Sequence, residues 1–285
     1  MVGATYGPYV LGLAAEKINE YVEATGDAPD RWTDYAPPSY AGALLFVVAP
    51  HFLDDPRVRP FTGVLVHVDQ TFTWHQALRV GESVGVIGRV DKVRERNGSY
   101  FVTFSAAVTS ANGERILDAV ATFLMGQGSP AGVGEGSGEP VVWRRELNER
   151  PAVAPFPARG EGLVPLAKSA SRIDLVKYAA AAGDYNPIHF DHDAATRAGL
   201  DGIVVHGLMM AAWAMQSAAA ISSRPDSIAH MKIRFRSAVR PAQAVEVRGT
   251  VADLAEDGAD CRLSLSVVAG EEKLVTATCV VRLGE

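Results

Sequence analysis

Two stretches far apart in this chain are written in the same order, and that repetition restricts the fold more than any other feature. Ala15 to Asp27 mirrors Ser171 to Asp184. Each reads as a short amphipathic helix closed by a glycine suited to a C-cap, Gly26 or Gly183, and followed by an aspartate. Trp74 through Val90 runs parallel to Phe235 through Val251, matching Ala77 to Ala238, Arg79 to Arg240 and Gly88 to Gly249. Both alternate apolar and polar residues, as half-buried strands do. Tyr100 to Met125 and Cys261 to Leu283 are strand pairs rich in Val, Thr and Phe, broken by Asn112-Gly113 and by Gly270. The two halves are expected to be one fold used twice.

Between them, the Gly-, Pro- and Ser-dense run from Gly126 to about Gly160 cannot bury a core and reads as a linker. The expected division is a first domain at 1–126, a linker at 127–156 and a second domain at 157–285. Each half gives a short helix, a second helical stretch and then several strands, an α+β pattern in which a sheet curls around a helix. In the second half that helix is Val204 to about Ile221. Its alanines give high helix propensity and little bulk, so strands can approach closely. The counterpart within Pro37 to Val48 looks short and ends before Pro50.

The chemistry concentrates in Gly183-Asp184-Tyr185-Asn186-Pro187-Ile188-His189. Asn-Pro favours a turn and biases the residue before proline away from helix, so the chain bends between a carboxylate and an imidazole five positions apart. Both side chains can then face one cleft, an arrangement suited to proton transfer. The bland reading is an Asx-type turn beside a solvated histidine. A metal reading of His192 with Asp191 and Asp193, reaching back to His189, lacks further His or Cys ligands, and no metal or other cofactor is expected. His206 has two readings, a structural hydrogen-bonder at the mouth of the helix or a chemical group.

These residues, with Tyr178 before them, Ala194 or Ala195 after them and the segment Ile203-Val204-Val205-His206-Gly207-Leu208, resemble the signature of the MaoC-like (R)-specific enoyl hydratases and (3R)-hydroxyacyl thioester dehydratases. The resemblance implies a double hotdog fold. It also implies an Asp184–His189 catalytic pair with Asn186 orienting the turn, and the Gly207 N–H as donor to the thioester oxygen. Tyr185, Pro187, His206 and Leu208 are the implied substrate contacts. The first half is similar, through Val66 to His75 and Leu78 to Gly81, to the non-catalytic hotdog domain of two-domain members. There Asp27 matches Asp184, but Trp32 stands where His189 would be. His51, His67 and His75 lie elsewhere, and His75 falls in a strand segment, so one active site is expected where symmetry suggests two. The shortened first helix is expected to leave a tunnel for an acyl tail, lined by Leu44, Phe46, Phe61 and Phe72.

With 48% hydrophobic residues among 285, the chain can fill substantial cores, and a net charge of −6 with both signs interspersed argues against nucleic acid or anionic membrane as partner. Two cysteines, no basic leader and no long apolar run make a cytoplasmic protein the default expectation. The expected substrate is an acyl-CoA or an acyl carrier protein thioester, with Lys232, Arg234, Arg236 and Arg240 available to the carrier's phosphates. The chain itself is expected to be a monomer or homodimer. The competing readings are a hotdog thioesterase, which would release free thiol, and a thioester-binding module without turnover.

Overall fold

A computed structural model describes residues 1–127, 150–152 and 157–283. The first half runs β1 (Thr5–Gly12), α1 (Ala15–Thr25), α2 (Ala41–Leu45), α3 (Ala49–Leu53), β2 (Val64–Trp74), β3 (Ser83–Arg96), β4 (Ser99–Ser110) and β5 (Arg115–Gly126). The second runs β6 (Leu166–Lys168), α4 (Arg172–Ala182), α5 (His192–Arg197), α6 (Gly207–Ala219), β7 (Ile228–Phe235), β8 (Val245–Leu254), β9 (Asp260–Ala269) and β10 (Glu272–Arg282). The linker expected at 127–156 falls mainly outside the described residues. Among the described residues no helix is long and apolar enough to cross a membrane.

Among the described residues ten strands form one antiparallel sheet in the order β1-β3-β4-β5-β2-β7-β10-β9-β8-β6. Each half supplies five neighbouring strands, and the order within one half is the mirror of the other. β2 and β7 join the halves. In their ladder Thr71 faces Lys232, and these are repeat mates, so a local two-fold passes between them. The helices obey the same symmetry: α1 packs on α4, with the rings of Tyr21 and Tyr178, again repeat mates, 5.9 Å apart.

Local sequence explains the helix ends. Gly26 and Gly183 take φ of 65° and 74°, the left-handed region that glycine enters without steric cost. Ser171 and Asp174 close a reciprocal capping box at the start of α4. α6 is buried on nearly every side, as an apolar helix without a polar face must be, and β6 to β10 wrap it. The matched glycines of the repeat sit where strands crowd the core. A Cβ on Gly88 would stand 2.5 Å from Phe104, and one on Gly249 would stand 2.7 Å from Leu265.

Three expectations change. The matched segments 74–90 and 235–251 are not continuous strands; each holds a strand end, a loop and the next strand, because the alternation persists across a tight connection. His75 lies just past β2, exposed and paired with Asp118 at 2.8 Å. The helix of the first half is short as expected, but the chain re-enters helix at Ala49, with Pro50 tolerated in the first turn of α3.

Candidate active site

Asp184 follows the left-handed Gly183 that stops α4, and Pro187 opens a 3-10 turn, Pro187–His189, which returns the chain toward α6. The Asn186 carboxamide oxygen accepts from the Ile188 N–H at 3.4 Å, and its Nδ2 donates to the Leu65 carbonyl on β2 at 3.5 Å. The turn is therefore tied to the other half. His189 Nδ1 lies 2.8 Å from the Val204 carbonyl. A carbonyl only accepts, so the proton is on Nδ1 and the Nε2 lone pair is free. By the same logic His206 Nε2 donates to the backbone carbonyl of Asp184 at 3.2 Å. Its ring stacks on His189, with centroids 3.7 Å apart and planes 23° from parallel.

One ligand-type atom from each of Asp184, His189 and His206 lies within 4.8 Å of the other two, and all three residues are buried. Burial pushes the Asp184 carboxyl up to about 7, opposed by the Asn186 N–H. Burial pushes His189 down to about 4, against the pull of the Val204 carbonyl. His206 is depressed further, by burial first and then by His189. Near neutrality the pair can thus hold one proton on the carboxyl beside a neutral imidazole, a general acid next to a general base. Imidazole rings with centroids 3.7 Å apart and planes only 23° from parallel keep their in-plane lone pairs from meeting at one point within metal-bonding distance of both, which favours proton transfer over metal binding for this cluster.

Asp184 and His189 open on a cavity of about 670 Å³ whose wall also holds Tyr185, Asn186, Pro187, Gly207 and Leu208. The head of α6 contributes first-turn N–H groups, which have no carbonyl before them in the helix, and the positive end of its dipole. His206 does not reach the wall. It is wholly buried behind His189, where it holds the Asp184 backbone and the His189 ring at once. His192 sits instead against Gly202, apart from the cluster.

The opposite wall belongs to the first half, through Phe46, Pro50, Leu53, Leu65, His67 and Phe123. Of the four residues expected to line an acyl tunnel, only Phe46 does so. Leu44 and Phe72 are fully buried in the core, and Phe61 is not part of the wall. The break after α2 is what exposes Phe46 and Pro50. Among the four cations expected near the carrier, Arg236 reaches the cavity, whereas Arg234 pairs with Asp69 and Arg240 with Asp201. Lys232 lies on the outer face of the sheet.

The model of the "MaoC like domain" family matches residues 159–269, and that of the "FAS1-like, dehydratase domain region" matches residues 1–119. A Mycobacterium tuberculosis protein, 3-hydroxyacyl-thioester dehydratase X, is 30% identical over 231 residues, covering 80% of this chain and 74% of its own. The chain belongs to the MaoC-like dehydratase family. A solved MaoC-like dehydratase superposes with a TM-score of 0.83 at 20% identity, over 99% of this chain and 98% of that one. A Mycobacterium tuberculosis protein described as a double hotdog does so with a TM-score of 0.70 at 11% identity, over 99% and 96%. These likenesses show the fold. This MaoC-like chain is a double hotdog, α6 being the helix held inside the second curled half-sheet.

His67 carries no site motif in the sequence, and nothing in its neighbourhood spells one. It lines the MaoC-like cavity from β2, with its Nε2 shut off from solvent and without a hydrogen-bond partner. The available signal was its place in Val66-His67-Val68, a polar residue inside an apolar strand of the segment that resembles the non-catalytic domain.

Proposed function

We propose that this chain is a hydro-lyase that interconverts (3R)-3-hydroxyacyl and trans-2-enoyl thioesters carried on coenzyme A or an acyl carrier protein. The observation that carries the reading is the convergence of Asp184 and His189 at the head of α6, opening on a largely apolar cavity. The name of the Mycobacterium tuberculosis relative supports the same reaction class.

In the dehydrating direction the free Nε2 of neutral His189 takes the proton from C2. The electron pair moves toward the thioester oxygen, which the Gly207 N–H at the head of α6 receives. The hydroxyl leaves C3 with the proton of Asp184, giving enoyl thioester and water, and proton transfer from His189 to Asp184 restores the pair. Hydration is the reverse: Asp184 as carboxylate takes the proton of the attacking water, and protonated His189 supplies C2. Asn186 orients the turn, His206 positions both members, and Tyr185, Pro187 and Leu208 bound the substrate space. The second half, 157–285, carries the chemistry, and the first, 1–126, shapes the acyl wall. Arg236 at the rim suits a carrier phosphate.

The test is loss of enoyl absorbance with crotonyl-CoA, followed by chiral analysis of the product. Formation of (3R)-3-hydroxybutyryl-CoA without free thiol is expected. Release of free thiol would make the protein a thioesterase, and no change with crotonyl-CoA or longer enoyl thioesters would make it a binding module.

A further inference from the structure

The β2–β7 ladder ends at Asp69 and Arg234, and beyond that pair the Arg236 N–H bonds to the Leu274 carbonyl on the far side. The two joining strands therefore part where the cavity opens. His67 stands in this gap, on the β2 side. Its ring lies 4.9 Å from Phe123 and 5.0 Å from Phe235, centroid to centroid. Phe235 in turn presses on the backbone of Gly207, where an added Cβ would be 3.2 Å from its ring. Two residues before His67 on the same strand, the Leu65 carbonyl holds Asn186 of the catalytic turn. His67 is thus one aromatic ring, Phe235, away from the Gly207 backbone and shares the cavity wall with Arg236 and Asp184.

A buried imidazole nitrogen without a partner carries a desolvation cost that a ligand's hydrogen bond relieves. Burial pushes His67 down to about 4, against the smaller opposing pull of hydrogen bonds to the Gln70 side chain and the Asp69 backbone, so the ring is neutral at physiological pH and its unpartnered Nε2 offers a hydrogen bond rather than a charge. We propose that His67, contributed by the half without a catalytic pair, binds substrate by a hydrogen bond from its imidazole to an amide of the phosphopantetheine arm. That arm is common to coenzyme A and acyl carrier protein, and the only strongly polar groups on the stretch between the carrier phosphate and the thioester are its amides and hydroxyl. The inference rests on the lyase reading above, and it makes the active site a product of both halves.

The test compares the full-length protein with His67→Leu and His67→Gln on two substrates, crotonyl-CoA and S-ethyl thiocrotonate, which has no amide. His67→Leu is expected to raise KM for crotonyl-CoA roughly tenfold, the worth of one lost hydrogen bond, with kcat within about twofold. His67→Gln, which keeps a hydrogen-bonding end, should recover most of that loss, and S-ethyl thiocrotonate should be turned over equally by all three proteins. Unchanged constants in His67→Leu overturn the proposal, as do an equal loss on both substrates or a loss that His67→Gln does not reduce. If the wild type turns over neither substrate, the lyase reading fails while the contact stays testable through butyryl-CoA affinity. About tenfold weaker binding by His67→Leu upholds it, and equal binding overturns it.

Discussion

In the first half, the turn after α1 is roofed over. The buried Lys168 ammonium donates to the Gly26 carbonyl at 2.8 Å, Gln216 of α6 donates to the Thr25 carbonyl at 3.1 Å, and Arg31 crosses to the Ala219 carbonyl at the end of α6, at 2.6 Å. Asp27, buried beneath, is raised from its ordinary value by desolvation, as Asp184 is. Among the described residues, the equivalent turn in the second half has no such cation over it and is held instead by His206 at the Asp184 carbonyl; Asp184 lines the cavity, and the imidazole of His189 stands where the first half has Trp32. The helices diverge in the same sense. α6 runs unbroken for 13 residues, whereas α2 stops after 5, and the interruption yields Phe46 and Pro50 as cavity wall. On the proposed reading, a duplicated fold has here divided its labour. One copy keeps the acid, the base and the helix head, and the other spends its corresponding space on closing its own turn and on widening its neighbour's cavity.

The most severe way to probe that division is at the pair itself. Asp184→Asn removes the transferable proton and His189→Ala the base, and each is expected to lower kcat/KM for crotonyl-CoA by about 10³-fold or more, within the range typical of a positioned acid or base. Circular dichroism and melting should show the fold retained. Substantial activity in either variant would place the chemistry elsewhere and end the contrast between a working and a silent half.

Next in size is the helix head. Gly207 is the first residue of α6, where proline is tolerated because that N–H has no intrahelical partner, and His206 before it has φ −58° and ψ 130°, a conformation compatible with a following proline. Gly207→Pro therefore deletes the N–H without breaking the helix, and a loss of about 10²–10³ in kcat is expected. The added carbons crowd Phe235, so Gly207→Ala, which brings a Cβ but keeps the N–H, is the control. Equal losses in the two variants would assign the effect to crowding and remove Gly207 from the oxyanion role.

The pH dependence discriminates more gently. The reaction needs one proton on the Asp184–His189 pair in either direction. With Asp184 pushed up to about 7 and His189 down to about 4, that state is populated between these values. Above about pH 7 the carboxyl loses its proton and kcat/KM should fall tenfold per unit; below about pH 4 the imidazole gains one and the rate should fall again. Measured across pH 5 to 9 on crotonyl-CoA, a rate that climbs through pH 7 would mean that the carboxylate works alone as base.

Much of this was legible in the sequence where the causes are local. Gly183 caps α4, Asn186 and Pro187 make the turn, and the alternation around Asn112-Gly113 and Gly270 makes two hairpins; each is decided by residues within a few positions of one another. The repeat extended that reach, because one half's reading could be checked on the other. What escaped depends on contacts between halves. His67 matters only because β2 pairs with β7 and then parts from it, and no spacing within Val64 to Trp74 encodes that partner. The acyl wall is not encoded locally for a like reason: Leu44, Phe46, Phe61 and Phe72 are equally apolar, and only the position of the helix break decides that Phe46 faces the cavity while Leu44 and Phe72 fill the core. His206, whose two readings composition could not separate, is resolved by a ring stack and a backbone carbonyl that only folding brings together.

The smallest expected effect on activity is also the sharpest test of why the proposed function gives the first half no catalytic pair. Trp32→His in an Asp184→Asn background would restore an acid and an imidazole five positions apart, Asp27 and residue 32, on a turn closed by the same kind of glycine. If the missing imidazole were the sole defect, hydration of crotonyl-CoA should reappear. The geometry argues otherwise. Lys168, Arg31 and Gln216 would still occupy the ground over the turn, and the cavity wall includes none of the residues from Gly26 to Trp32. No gain over Asp184→Asn alone is therefore expected. Trp32 is buried, so the smaller ring should instead destabilise the fold by ~3 kcal/mol, read as a lower melting temperature. A rate at least tenfold above that background would show that the roof opens readily and that the two halves differ by one side chain rather than by how each has used its space.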